Sequence, residues 1–76
     1  MPKETITIVT LDLTVIRAFT SFDVAVDYVK FVYKSFDLVK EVVDQDSPFR
    51  RFTFCESDKK LPRWIVVREM NIDDRL

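Results

Sequence analysis

Hydrophobic and polar positions change their spacing along the chain. From Glu4 to Phe19 the residues Ile, Val, Thr and Leu crowd together without a Gly, Pro or Asn, which predicts one extended strand. Ile6 and Ile8 share one face of it, whereas Val9, Leu11, Leu13 and Val15 share the other. The inward parity therefore switches near Ile8 and Val9, and a bulge is expected there. An extended segment of about 15 residues would span roughly 50 Å, against a diameter near 30 Å for a compact domain of this length. Such a strand must kink at the bulge or reach across to pair in a second copy, giving an isologous two-fold dimer.

The next stretch, "FTSFDVAVDYVKFVYKSFDLVKEVVDQ", changes to helical spacing. Thr20 is the expected N-cap, Asp23 closes a capping box three residues on, and Phe19 packs on Val24 as a hydrophobic staple. With no Gly or Pro to turn the chain, the helix is expected to run to about Asp44 and to stop before "DQDSPF". On a wheel at about 100° per residue, Asp23, Asp27, Lys30, Lys34, Asp37, Glu41 and Asp44 fall within an arc of about 100°. Most of the remaining circumference is apolar. Phe36 and its neighbours at helical spacing face the sheet, while Val24, Tyr28, Phe31, Leu38 and Val42 form a second flank for which a small sheet offers no cover. That flank is expected to meet a partner or a second copy, unless the sheet wraps far enough round to bury it.

"FRRFTFCE" and "RWIVVREM" alternate as strands, with "SDKKLP" as the polar turn of an antiparallel hairpin. Cys55 alternates with Phe52 and Phe54, which puts it on the outer sheet face. The predicted order is strand, helix, strand, strand: an α+β chain in which a three-stranded, antiparallel-containing sheet packs on one long helix, as a homodimer. Residues 1–76 make one small domain, with 71–76, "NIDDRL", as a loose tail.

Size sharpens the expectation of a dimer, because 76 residues approach the lower limit for one core without disulfide, metal or partner subunit. Seven Phe and 47% hydrophobic residues describe a folding chain, not a disordered linker. Twelve basic against thirteen acidic residues leave no net field to draw in a polyanion, so any electrostatic function must be local. A lone Cys55 and an opening "MPKETITIV" without a secretory layout imply a reducing, cytoplasmic setting, and no apolar run is long enough for a membrane span.

The chemistry is narrowed by what is missing. A chain with no Gly has no phosphate-binding glycine loop and no nucleophile elbow, and one with no His and a single Cys has no ordinary zinc site. The carboxylates Asp12, Asp23, Asp27 and Asp37 follow no metal-binding pattern. No catalytic, cofactor-binding or metal-ligating residue is expected, and the chain reads as no enzyme.

Arg50, Arg51, Arg63 and Arg68 gather on the predicted hairpin, with Trp64 nearby, as a basic patch suited to an acidic protein surface or to phosphate. In "RRFTFCE", Arg50, Phe52 and Phe54 match the basic and stacking positions of the RNP motif of RNA-recognition domains, whereas Arg51, Thr53 and Ser57 depart from it. In its small size, its lack of Gly and His and its expected binding surface, the chain resembles phage-encoded host-takeover and anti-defence proteins, which act by binding in the host cytoplasm. The resulting expectation is a non-enzymatic, homodimeric protein that inhibits or redirects a larger host protein. A small nucleic-acid-binding regulator using the Arg and aromatic face of the hairpin is the alternative.

Overall fold

The computed structural model describes residues 5–43, 49–57 and 60–71. Two strands, β1 (Thr5–Leu11) and β2 (Thr14–Phe19), precede a helix, α1 (Phe22–Val32), and three strands follow: β3 (Phe36–Val43), β4 (Arg50–Glu56) and β5 (Trp64–Asn71). All five strands form one sheet in the order β2-β1-β5-β4-β3, with every neighbouring pair antiparallel. This overturns the three-stranded sheet on one long helix.

The expected single first strand is a hairpin. Leu11 pairs with Thr14, so Asp12 and Leu13 alone make the turn, at φ 49° and 71°. Two successive positive φ values fit the right-handed twist of the flanking strands, as in a type I′ turn, a place usually held by Asn-Gly or Asp-Gly. Asp12 tolerates the left-handed region through its short polar side chain. It is also tied to β5: its N–H donates to the Trp64 carbonyl at 3.0 Å, and its Oδ1 accepts from the Trp64 N–H at 3.0 Å. Leu13 has no such support and is 97% exposed. The bulge expected near Ile8 and Val9 lies between Val9 and Thr10, but the extra residue is Ile16 in β2, and β1 runs against β5 without a break.

The helix begins one residue later than the capping box implied and ends much earlier. Ser21 is the N-cap, its Oγ accepting from the Val24 N–H at 3.5 Å, and Phe19 packs on Tyr28 at 5.2 Å between ring centroids instead of stapling Val24. Tyr33 closes the helix with its N–H on the Val29 carbonyl. The chain then turns through Lys34 and Ser35, with the Phe36 N–H donating to the Tyr33 carbonyl. The Ser35 carbonyl accepts from both the N–H and the Oγ of Ser57, at 3.0 and 2.6 Å, which fastens the start of β3 to the end of β4.

The helical spacing read beyond Tyr33 has a specific cause. The register of β3 against β4 shifts between Leu38 and Lys40, so Val39 is an extra residue. Apolar residues at 36, 38, 39, 42 and 43 then imitate a period of 3.6, although the segment is a strand with a bulge. Its Val and Phe content, costly in a helix, suits a pleated surface.

Phe22, Ala25, Val26 and Val29 form the buried stripe of α1, which lies on β1, β2 and β5. Beneath and beside it are Val9, Phe36, Phe52, Phe54, Ile65 and Val67, all buried, with Phe22 meeting Phe52 edge-on at 5.1 Å. The β4–β5 hairpin has the expected antiparallel pairing. The loop expected after the helix falls largely on residues 44–48, outside the described residues; of the tail expected over 71–76, Asn71 instead ends β5 opposite Thr5, and 72–76 lie outside the described residues.

Two predictions follow from the turn and the core. Leu13→Gly should raise the free energy of unfolding by about 0.5–1 kcal/mol, because the left-handed penalty removed exceeds the added chain entropy; a urea midpoint that falls would contradict the turn. Phe36→Ala should cost about 3–5 kcal/mol, whereas Phe31→Ala, at a side chain 73% exposed, should change stability by less than about 0.5 kcal/mol.

Candidate functional site

The five residues of the expected interface flank do not share one surface. Val24 and Phe31 lie on the outer side of α1, 53% and 73% exposed. Tyr28 is half-buried between the rings of Phe19 and Tyr33, with the Arg17 guanidinium 5.2 Å from its own ring centre. Leu38 and Val42 belong to β3 and point to opposite sheet faces, since Leu38 stands opposite Phe54 and Val42 opposite Arg51. The continuous flank vanishes because the helix that would have carried it ends at Val32.

The basic patch divides in the same way. Arg50 and Arg63 turn to the helix side. The Arg50 guanidinium lies 4.8 Å from the Phe22 ring centre and 5.3 Å from that of Phe52, with Asp23 at 4.0 Å. Arg63 Nε donates to Glu56 Oε2 at 2.7 Å while its guanidinium lies 5.8 Å from the Phe36 ring centre. The Glu56 side chain is 4% exposed, so this pair closes the β4 end of the core. The hydrogen bond and then the charge of Glu56 push the Arg63 pKa further up, keeping it a cation.

Arg51 and Arg68 take the other face. They stand directly opposite each other across β4 and β5, and both are exposed. The same row continues to Ile8 on β1, opposite Arg68, and to Val42 on β3, opposite Arg51. In the next row Val66 stands between Thr10 and Thr53, and beyond it Trp64, 45% exposed, faces Cys55. No described helix lies on this face. The alternation of "RRFTFCE" was enough to put Arg51 and Cys55 opposite the core residues Phe52 and Phe54. Nothing local in the sequence could pair Arg51 with Arg68 or bring Ile8 beside them.

A second exposed feature escaped sequence reasoning altogether. β3 is an edge strand of eight residues, and after Phe36 it is exposed on both faces, with Leu38 at 45%, Val39 at 56% and Val43 at 56%. Among the described residues no strand lies beside its outer row of N–H and C=O groups. The bulge at Val39 puts Asp37 and Lys40 on the same face, opposite Cys55 and Thr53 respectively.

Phe52 and Phe54, which match the stacking positions of the RNP motif, are 8% and 2% exposed and lie in the core. Among the described residues no group of three or more His, Cys, Asp and Glu could hold a metal ion. No described helix is long and apolar enough to cross a membrane.

The aromatic cluster at the end of α1 yields a pH dependence. Burial raises the Tyr33 pKa, repulsion from Tyr28 and a hydrogen bond that the neutral Tyr33 hydroxyl makes to Tyr28 raise it further, and Arg63 opposes in part. The neutral phenol is thus favoured in the fold: its contribution to stability is complete below the unfolded pKa of 10.0 and is lost as pH rises through the higher folded value. Thermal stability should therefore decline above about pH 10, and Tyr33→Phe should flatten that decline. An identical profile for the variant would remove Tyr33 as the cause.

Comparison with known protein families, with curated proteins and with solved structures finds no match to this chain.

Proposed function

We propose that the chain is a non-enzymatic binding protein that works as a homodimer and inhibits or redirects a larger protein. The two features that pointed to a dimer in the sequence, a helix with two apolar flanks and an overlong strand, are absent from the fold. The observation that carries the proposal is β3. A long, exposed edge strand with Leu38, Val39 and Val43 open to water is a template for strand addition, and such edges are normally covered, shortened or paired.

A second copy is the occupant that suits this edge. With two antiparallel β3 strands related by a two-fold axis between Leu38 and Val39, Asp37 of each copy stands opposite Lys40 of the other, twice. The bulge makes this register possible, because it brings Asp37 and Lys40 to one face. Leu38 and Val39 lose exposure in the same step, and two five-stranded sheets become one continuous sheet.

Nucleic-acid binding is the second reading, supported by Arg51, Arg68 and Trp64 on one face. The burial of Phe52 and Phe54 weighs against it, since it takes both stacking positions of the motif off that face.

Sedimentation equilibrium tests the dimer. At about 100 µM, well above typical specific dissociation constants, the protein should sediment at twice its 9.0 kDa chain mass. Leu38→Lys with Val39→Lys should return it to 9.0 kDa with its circular dichroism unchanged. A wild type that is monomeric at this concentration overturns the proposal.

A further inference from the structure

We infer that the open face of the sheet docks an acidic, amphipathic segment of the partner protein, whose carboxylates are held by Arg51 and Arg68. This rests on the protein-binding reading above but uses a different surface from the β3 edge.

The first ground is the pairing of like charges. Residues directly opposite on one face of an antiparallel pair are close neighbours, and two cations there destabilise the sheet. Arg51 and Arg68 occupy such a position. Neither has a carboxylate or ring partner among the described residues, whereas Arg17, Arg50 and Arg63 each lie over an aromatic ring and the last two also meet a carboxylate. A bound carboxylate between the two guanidiniums offsets the repulsion and accepts forked hydrogen bonds from both.

The second ground is what surrounds the pair. Ile8 and Val42 flank the pair on either side, a span of about 14 Å across four strands, with Val66 and Trp64 in adjoining rows. Acidic groups between aliphatic ones, as on one side of an amphipathic helix, match a cationic centre with apolar ends. α1 covers only the opposite face, so this row is open to such a segment.

The same features turn away other occupants. A second copy laid face to face about an axis through this row would gather four guanidiniums. A nucleic-acid strand would find one exposed ring, Trp64, on a chain of formal charge −1, a weak stacking platform in an unhelpful field.

Trp64 is the one tryptophan of the chain, so its fluorescence reports on this face. The full-length protein is titrated with a helical peptide of about 20 Leu and Glu residues, with the same peptide carrying Lys for Glu, and with an oligothymidine strand. At about 0.15 M salt the Glu peptide should bind, and the Lys peptide and the oligonucleotide should not. Arg51→Glu with Arg68→Glu should weaken Glu-peptide binding at least about 30-fold, the loss of two charge-assisted contacts. Arg51→Glu alone should also weaken Glu-peptide binding while raising the melting temperature by about 2–6 °C, because it removes the opposed cations, so lost binding in that variant cannot be blamed on unfolding.

Absence of Glu-peptide binding, equal binding of both peptides, or a melting temperature lowered by Arg51→Glu would overturn the inference. Oligonucleotide binding that weakens steeply with salt would instead make this a nucleic-acid surface. Sedimentation of the same samples separates the two proposals: a dimer that ignores the Glu peptide sinks only this one, and a monomer that binds it sinks only the dimer.

Discussion

The coverage of the sheet by α1 is the constraint from which the rest follows. An eleven-residue helix is about 16 Å long and 10 Å wide, while five strands are about 19 Å across. One such helix can cover only part of one face. It lies on β1, β2 and β5, and Phe22 reaches Phe52 to extend the core under β4. Beyond that, the sheet has its own side chains and little else: Phe36 is the last buried residue toward the β3 edge.

Two exposed surfaces result, and they differ in kind. At the β3 edge the open groups are backbone hydrogen-bonding groups beside aliphatic side chains, so the complement is another strand. On the far face the backbone is satisfied by neighbouring strands, and what stands open is a pair of guanidiniums among apolar residues, so the complement is a side-chain surface of opposite charge. On the helix side Arg17, Arg50 and Arg63 have ring partners, and the last two have carboxylate partners as well. Arg63 with Glu56 closes the β4 end, and Arg50 lies against the Phe22–Phe52 contact.

The amino-acid sequence by itself determined the elements whose signals are local. Alternation placed β4 and β5 and put Cys55 on the face away from Phe52 and Phe54, whereas the four arginines expected in one patch divide between the two faces. Thr20 and Asp23 marked the start of α1 to within one residue, the N-cap being Ser21. Tertiary structure alone decided that Phe36–Val43 is a strand, because its one-residue bulge disguises a period of two and the β4 strand that fixes it lies beyond a loop. It alone decided the turn at Asp12 and Leu13, where contacts with Trp64, 52 residues away, support a backbone shape that Asp-Leu does not announce. Strand neighbours are chosen by hydrogen bonds between distant parts of the chain, so the union of Ile8, Arg68, Arg51 and Val42 in one row arises only when β1 enters the sheet beside β5.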